Sequence, residues 1–153
     1  MARGAGERKK LGQMIAIIGY FLSGAIALGI VFIGGRFFLA PYAAAAGFGV
    51  AVEPDARWDA YLSVKAIRDI ATGLFAAILI LNRSTQLLGW FMLAATIIPL
   101  TDAAIVLRHG GTKTTAFGIH GATAAIMLGI AAFCWWPEPD TRNHAQLAWL
   151  SMN

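Results

Sequence analysis

The sequence predicts an all-α membrane protein, a four-helix transmembrane bundle that forms one domain over residues 1–153. Hydrophobic residues make up 58% of the chain and charged residues 13%, against about 45–50% and about 25% in soluble domains. The mean hydropathy is +0.66. Apolar runs long enough to cross a bilayer recur along the chain, and they leave little length for a second domain.

The first helix is predicted over residues 14–35, a run of 22 residues without a charge. Four basic residues precede it within the first ten positions. A signal peptide also starts with basic residues, but its apolar core is only about 7–15 residues long and ends at a small-residue cleavage site. We therefore expect this helix to be retained as a membrane span.

Residues 36–60 are expected to connect the first two helices. This stretch contains two prolines, two glycines and both signs of charge, so it does not form a span. Its first half is nevertheless apolar and holds the aromatic residues Phe37, Phe38, Tyr42 and Phe48. We expect an interfacial or re-entrant segment here, whose backbone must be covered by protein if it lies at membrane depth.

Helix 2 is predicted over residues 61–81, and helix 3 over residues 86–107. The first half of helix 2, YLSVKAIRD, carries three charges, whereas the second half, IATGLFAAILIL, carries none. Pro99 lies inside helix 3, where it should produce a kink because its nitrogen carries no hydrogen. The charged half of helix 2 is the exception in an otherwise apolar set of spans.

Helix 4 is predicted over residues 114–136. It ends on the pair Trp135 and Trp136, which suits a membrane interface, and Pro137 stops it. The remaining residues 137–153 form a short tail.

The distribution of basic residues predicts a multi-pass protein with both termini in the cytoplasm. Six basic residues fall on the N-terminal side of the membrane and four on the other side. Cytoplasmic segments carry the excess of lysine and arginine, and here the excess comes mainly from the N-terminal cluster. With four spans, the tail 137–153 returns to the cytoplasm.

The sequence argues against several classes of site and partner. A single cysteine, Cys134, excludes an internal disulfide and a multi-cysteine metal site. The three histidines are not expected at one level, and no glycine-rich phosphate loop follows a strand, so we expect no metal and no cofactor. The basic residues form no face with aromatic residues, so nucleic acid is not an expected partner. The expected partners are the lipid bilayer and a small lipophilic molecule, and self-association stays open.

Ionisable residues inside the predicted spans are the main functional signal. Each costs about 2.5–3.5 kcal/mol to insert, so it should face the bundle interior and have a partner or a chemical role. On helix 2, several polar residues fall within an arc of roughly 100°. They are Tyr61, Lys65, Arg68, Asp69 and Thr72.

Three ionisable residues on different helices should also share one depth in the membrane. Counted from the outer helix ends, Asp69, Asp102 and His120 lie about 12, 9 and 9 Å deep at 1.5 Å per residue. One interpretation is that Lys65 or Arg68 only neutralises a carboxylate and locks the helices together. The other is a site for acid–base chemistry or ligand capture, because so many polar groups at one level exceed what an ion pair needs.

We favour the second interpretation and assign the roles accordingly. The predicted catalytic residues are Asp69, Asp102 and His120. The predicted substrate-binding residues are Tyr61, Lys65, Arg68 and Arg36. Two carboxylates in different surroundings can divide the roles of base and acid. This suits a hydrolase, cyclase or isomerase acting on a small lipophilic substrate, for example by opening an epoxide. The alternatives are a small-solute or proton-coupled transporter and an accessory subunit of a membrane complex.

Four segments carry a family resemblance, namely APYAAAAGFG, YLSVKAIRDIATG, LGWFMLAATIIPLTDAAIVLRHGG and HGATAA. Over residues 12–135 the chain resembles small four-helix bacterial and fungal membrane proteins of unknown function, distantly similar to the DoxX-like group. The resemblance implies the four-helix fold. It also implies that the five ionisable residues of the spans belong to a family pattern, namely Lys65, Arg68, Asp69, Asp102 and His120. More weakly, its size and acid–base residues resemble membrane-bound epoxide hydrolases of fungal polyketide pathways.

Overall fold

The computed structural model describes residues 2–135, and this part of the chain contains helices and short connections but no strand. The helices are α1 (Ala2–Leu39), α2 (Pro41–Phe48), α3 (Ala56–Leu81), α4 (Thr85–Ala95), α5 (Ile97–Arg108), α6 (Lys113–Thr115), the π-helical segment Ala116–Gly121 and α7 (Ala122–Cys134). Only Thr96 separates α4 from α5, and α6 runs through the π-helical segment into α7. Residues 2–135 therefore form five helical rods, not the four predicted.

The first antiparallel pair consists of α1 and α3. Gly34 lies against Ile70, whereas Gly73, further along α3, lies against the earlier residues Ala27 and Val31 of α1. A β-carbon at Gly73 would lie 2.6 Å from Val31 Cγ2 and 2.7 Å from the Ala27 carbonyl oxygen. The two helices approach this closely because glycine presents no side chain at the contact.

The second antiparallel pair is formed by α4 and α5 against the chain from Lys113 to Cys134. Trp90 near the start of α4 contacts Trp135, with ring centroids 4.5 Å apart, and Val106 near the end of α5 clusters with Ala116. The two pairs share one apolar core, which contains Ala27, Ala76, Leu79, Leu88, Met92, Ala95, Met127, Ile130 and Ala131. The long helices thus alternate in direction around a common core.

Three helical stretches are long and apolar enough to cross a membrane. They are Lys10–Leu39, Thr85–Arg108 and Lys113–Cys134. The remaining long helix, α3, has 26 residues but carries three charged residues between Lys65 and Asp69. The described chain is therefore consistent with an integral membrane protein.

The first half of the predicted connection 36–60 is helical, a feature that the expected interfacial or re-entrant segment left unspecified. Helix α1 continues to Leu39, and Ala40, at φ −144° and ψ 65°, leaves the helical conformation, as a residue before proline tends to do. Pro41 then takes the first position of α2, where a missing N–H costs nothing. Helix α3 begins earlier than predicted because the Asp55 carboxylate caps it, accepting from the backbone N–H of Arg57 at 2.8 Å.

Predicted helix 3 is interrupted at Thr96, one turn before Pro99. Pro99 has no N–H to donate to the carbonyl of Ala95, so the regular helical hydrogen-bonding pattern cannot continue through this turn. The Met92 carbonyl accepts from both the Thr96 hydroxyl at 2.7 Å and the Thr96 backbone N–H at 3.1 Å. For helix 4, the predicted end at Trp136 and the tail 137–153 lie outside the described residues.

Candidate functional site

A cavity of about 280 Å³ lies between the two helix pairs, at the end of the bundle where α1 finishes. Its volume is close to the lower limit of about 300 Å³ for ligand sites. Apolar residues form much of the wall, including Ile30, Ile33, Phe37, Phe48, Ala95, Ile98, Pro99, Ile119 and Met127. The polar and charged residues of the wall are Arg36, Lys65, Asp69, Thr72, Asp102, His120 and Thr123. The cavity therefore combines an apolar interior with a concentrated polar layer.

Residues 41–52, which we call the roof, lie between α1 and α3 in the chain and pack beside this cavity against both helix pairs. The ring of Phe48 contacts those of Phe37 and His120, with centroids 6.1 and 4.5 Å away. Gly49 has a φ of 105° and packs so tightly that a β-carbon would lie 2.9 Å from Thr115 Cγ2 and 3.0 Å from Val106 Cγ1. Only glycine adopts this conformation easily, so the roof turns here towards the second helix pair.

The start of the roof is tied to the start of α3. The Tyr42 hydroxyl donates to the Asp59 carboxylate at 2.5 Å and accepts from the Asp55 backbone N–H at 3.1 Å. The hydrogen bond to Asp59 raises the pKa of Tyr42. At the same helix end, the guanidinium of Arg57 lowers the pKa of the Asp55 carboxyl by hydrogen bonding to it. The first turn of α3 is thus both capped and attached to α2.

Lys65 and Asp69 form an ion pair on the cavity side of α3. Lys65 Nζ donates to Asp69 Oδ2 at 2.8 Å, one helical turn away. The same ammonium lies 4.7 and 4.9 Å from the ring centroids of Phe37 and Phe48, a cation–π arrangement. The carboxylate of Asp69 is therefore already engaged by a fixed cation.

Asp102 and His120 are neighbours in the cavity wall, but no direct hydrogen bond joins them. Asp102 Oδ2 lies 3.9 Å from His120 Nδ1, beyond hydrogen-bond distance. On the other edge of the ring, Nε2 lies 3.1 Å from the Phe48 carbonyl oxygen. A carbonyl only accepts, so Nε2 must carry a hydrogen.

This arrangement determines where one proton can reside. With Nε2 protonated, Nδ1 presents either a lone pair or a second hydrogen to the Asp102 carboxyl group. An imidazole nitrogen and a carboxyl oxygen can each hold or release a proton, so the two facing atoms are both capable of proton transfer. The 3.9 Å gap is too narrow for a third atom to enter, but a group lying beside it can reach both residues.

His120 lies within the π-helical segment Ala116–Gly121. Such segments contain one more residue per turn than the α-helix requires and occur frequently at functional sites. The ring of His120 is buried, with 6% exposure, and it meets both Asp102 and the roof. The sequence analysis did not predict this irregularity.

Five of the seven predicted site residues line the cavity, namely Arg36, Lys65, Asp69, Asp102 and His120. The other two do not reach it. Tyr61 is 69% exposed and packs against Trp58, and Arg68 is exposed. The polar residues of α3 span an arc of the helix, and both Tyr61 and Arg68 lie on the edge of that arc that is farther from α1. Gly73 and Ala66, which contact α1, lie beyond the opposite edge. The roles assigned to the residues in the cavity stay predictions.

Sequence reasoning missed the contribution of the roof to the site. The acceptor for His120 is the backbone oxygen of Phe48, and a backbone acceptor leaves no residue-type signal. Thr123 also lines the cavity, and its place one turn after His120 could have indicated this. Within residues 2–135, no three histidine, cysteine, aspartate or glutamate residues gather as a metal site would require.

Comparison with known proteins supports a family but no activity. No curated protein and no solved structure matches the chain, so the resemblances to the DoxX-like group and to fungal epoxide hydrolases gain no support. The family model described as a domain of unknown function, DUF4267, matches residues 27–134. This segment is more than half of the chain and contains every residue that lines the cavity. The chain therefore belongs to the DUF4267 family.

Proposed function

We propose that the cavity is the active site of an intramembrane enzyme that performs acid–base chemistry on a small lipophilic substrate. The observation that carries this proposal is the Asp102–His120 pair, whose facing atoms lie 3.9 Å apart in the wall of a largely apolar cavity. A carboxyl group and an imidazole that lie beside the same substrate can accept a proton at one atom and donate at the other.

The environment of the two carboxylates supports a division of roles. Asp69 is neutralised by Lys65 at 2.8 Å, and it stabilises the cavity wall. Asp102 has no such lysine within 4.0 Å in the described chain, so it is the carboxylate that is free to exchange a proton. We therefore assign proton transfer to Asp102 and His120, and electrostatic support to Lys65 and Asp69.

Two reaction types fit this assignment without a cofactor. In an isomerisation, Asp102 removes a proton from a carbon next to a carbonyl, and His120 returns a proton at another position. In epoxide hydrolysis, Asp102 takes a proton from the attacking water while His120 protonates the epoxide oxygen as its bond to carbon breaks. The proton on Asp102 then returns to His120, so either reaction leaves the pair as it began.

The membrane arrangement that fits this function has α3 as a fourth span and both termini in the cytoplasm. Helix α3 runs antiparallel to α1 and, at 26 residues, is long enough to cross. Two of its charged residues, Lys65 and Asp69, line the cavity, which reduces the cost of placing them at membrane depth. The N-terminal basic cluster supports the cytoplasmic assignment.

The alternative of a transporter is less well supported by the packing. A transporter needs a route from the cavity to the other side of the membrane. Towards the start of α1, the space between the helices is occupied by core residues that include Leu88, Met92 and Ile130, all 0% exposed. A site closed on that side suits a reaction better than passage.

The experiment uses the full chain in lipid nanodiscs with a panel of small lipophilic epoxides and ketones. Epoxides are incubated in ¹⁸O-labelled water and ketones in deuterium oxide, and mass spectrometry detects label gained by the product. We expect Asp102→Asn to lower the rate for any compound turned over by about 10²–10⁴-fold, the usual contribution of a general acid or base. The matched control is Glu53→Gln, which removes an exposed carboxylate outside the cavity.

The melting temperature of each variant separates chemistry from folding. An Asp102→Asn protein that melts like the wild type but loses turnover supports the proposal. Wild-type turnover by Asp102→Asn would reject Asp102 as the acid or base.

A further inference from the structure

The ionisable residues of the cavity leave one positive charge without compensation. Lys65 and Asp69 neutralise each other at 2.8 Å. Asp102 faces the imidazole of His120 at 3.9 Å, and neither pair includes Arg36. Arg36 is the remaining ionisable residue of the wall, and it is positive. An anionic ligand in the cavity would supply the partner that the guanidinium of Arg36 lacks among the described residues.

Arg36 has the position and the donors to hold such an anion. It lies in the last turn of α1, and a methyl group at Gly47 of α2 would be only 4.0 Å from its Nη1 atom. Among the side chains that the structure describes, the ion pairs are those of Arg57, Lys65 and His120, so no described carboxylate lies within 4.0 Å of Arg36. A guanidinium can bind a carboxylate through two parallel hydrogen bonds.

The apolar wall limits the rest of the ligand. Ile33, Ile98 and Ile119 line the cavity from α1, α5 and the π-helical segment. At about 30 Å³ for each water, the cavity volume corresponds to roughly nine waters, and hence to a ligand of about ten non-hydrogen atoms. An apolar chain or ring of that size fills the space between Arg36 and the Asp102–His120 pair.

We propose that the substrate is a small lipophilic carboxylate whose anionic oxygens bind Arg36 and whose apolar body rests against Ile33, Ile98 and Ile119. The reacting part then lies beside Asp102 and His120. The identity of the ligand as a substrate rests on the proposed function, whereas its binding does not require turnover. Arg36 is accordingly a specificity-determining residue.

Anionic oxygens also occur on lipid headgroups, and Arg36 is exposed at a helix end. The two sources share the charge–charge contact with the guanidinium. A small carboxylate places its apolar body inside the cavity, whereas a lipid keeps its apolar chains in the bilayer. The test therefore varies the ligand and the lipid separately.

The test measures binding of octanoate and of octan-1-ol, its uncharged counterpart, to the full chain in phosphatidylcholine nanodiscs. Calorimetry with empty nanodiscs subtracted gives the affinity of the protein alone. We expect octanoate to bind about 10–100-fold more tightly than octan-1-ol, as a hydrogen-bonded charge pair provides. Arg36→Gln should remove this preference and leave octan-1-ol binding unchanged, whereas Arg36→Lys should retain part of it.

The matched control is Arg108→Gln. Arg108 also lies in the last turn of its helix and is exposed, but it does not line the cavity. The preference should persist in this variant. Equal affinities for the two ligands in the wild type, or an equal loss in both glutamine variants, would overturn the proposal. Arg36→Lys carries the test if Arg36→Gln fails to fold, and a folded Lys variant without any preference would count against it.

A second arm repeats the measurement in nanodiscs that contain phosphatidylglycerol. Octanoate binding that is unaffected by this lipid supports a small carboxylate in the cavity. Displacement of octanoate by phosphatidylglycerol would assign Arg36 to lipid headgroups and overturn the proposal.

The Asp102→Asn variant distinguishes this proposal from the proposed function. Octanoate preference is measured in the wild type, whereas this variant is used only to show whether turnover depends on Asp102. Preference for octanoate without Asp102-dependent turnover would reject the reaction but support this inference. Turnover that depends on Asp102, in a protein that shows no preference for octanoate, would support the reaction and overturn this inference.

Discussion

The Nε2 atom of His120 donates a hydrogen bond to the carbonyl oxygen of Phe48 at 3.1 Å, across 72 positions of sequence. The two rings also meet edge to face, with centroids 4.5 Å apart. The same histidine faces Asp102 through its other nitrogen. One side chain therefore both positions the roof and presents a nitrogen to the cavity, so a change at His120 affects the site and the roof together.

Replacement of His120 by alanine should destabilise the protein by about 1–3 kcal/mol. The hydrogen bond to Phe48 contributes about 0.5–1.5 kcal/mol, and the aromatic contact contributes a similar amount. Equilibrium unfolding by sodium dodecyl sulfate in mixed micelles would measure the change. Phe117→Ala is the control, because Phe117 belongs to the same segment but is 61% exposed. Equal losses in the two variants would show that the histidine does not hold the roof.

Gly73→Ala should weaken the α1–α3 pair. The added methyl would lie 2.6 Å from Val31 Cγ2 and 2.7 Å from the Ala27 carbonyl oxygen, so the helices must separate. Overpacking of this kind costs about 1–3 kcal/mol. The control is Gly29→Ala on α1, where a β-carbon meets nothing within 4 Å. Melting temperature in detergent compares them, and a Gly73 variant as stable as the Gly29 variant would contradict the close contact.

Asp69→Asn should reduce stability more than Asp102→Asn does. Removing the carboxylate leaves the Lys65 ammonium without its ion-pair partner, and that loss reaches about 3–5 kcal/mol for a fully buried pair. A smaller cost is expected here, since the side chains of Lys65 and Asp69 are 26% and 18% exposed. Adding Lys65→Gln to Asp69→Asn should restore part of the melting temperature. No recovery in the double variant would mean that the ion pair is not the cause.

Stability should decrease at low pH partly through Asp55. Arg57 holds the pKa of this carboxyl below its ordinary value of 3.8 in the folded protein. The contribution is therefore fully present well above pH 3.8 and is lost as the pH falls below 3.8 towards the folded pKa. Melting temperatures from pH 6 to pH 3 should decrease more for the wild type than for Asp55→Asn, which has no charge to lose. Parallel curves would refute this contribution.

The proposed membrane orientation places both termini in the cytoplasm. Reporter domains fused at residue 153, and between Gly110 and Gly111 in the connection after α5, test this in cells. The fusion at residue 153 should be active only with a cytoplasmic reporter, and the fusion at 110–111 only with a reporter of the opposite compartment. The reverse pattern, or the same side for both, would exclude this topology.

Sequence patterns could predict much of the fold for local reasons. The end of α3 at Leu81 was predicted, because Asn82 to Ser84 supply a turn after an apolar run. The roof was not recognised as a helix, because Pro41 and two glycines flank its run of alanines and are residues typical of loops. The π-helical segment had no signal either, since its residues are ordinary helix residues whose hydrogen bonds shift only under tertiary packing.

The sequence by itself determined the helical, membrane-compatible character of the chain, because apolar content and helical periodicity are local properties. It also indicated that Asp69, Asp102 and His120 share a level, because depth follows from the rise per residue. Tertiary structure alone decided which polar residues of α3 face the cavity. The contact of Gly73 with α1 sets the rotation of α3, so that Asp69 lines the cavity while Arg68, the preceding residue, is exposed. That rotation depends on close packing between residues far apart in sequence, which no local pattern contains.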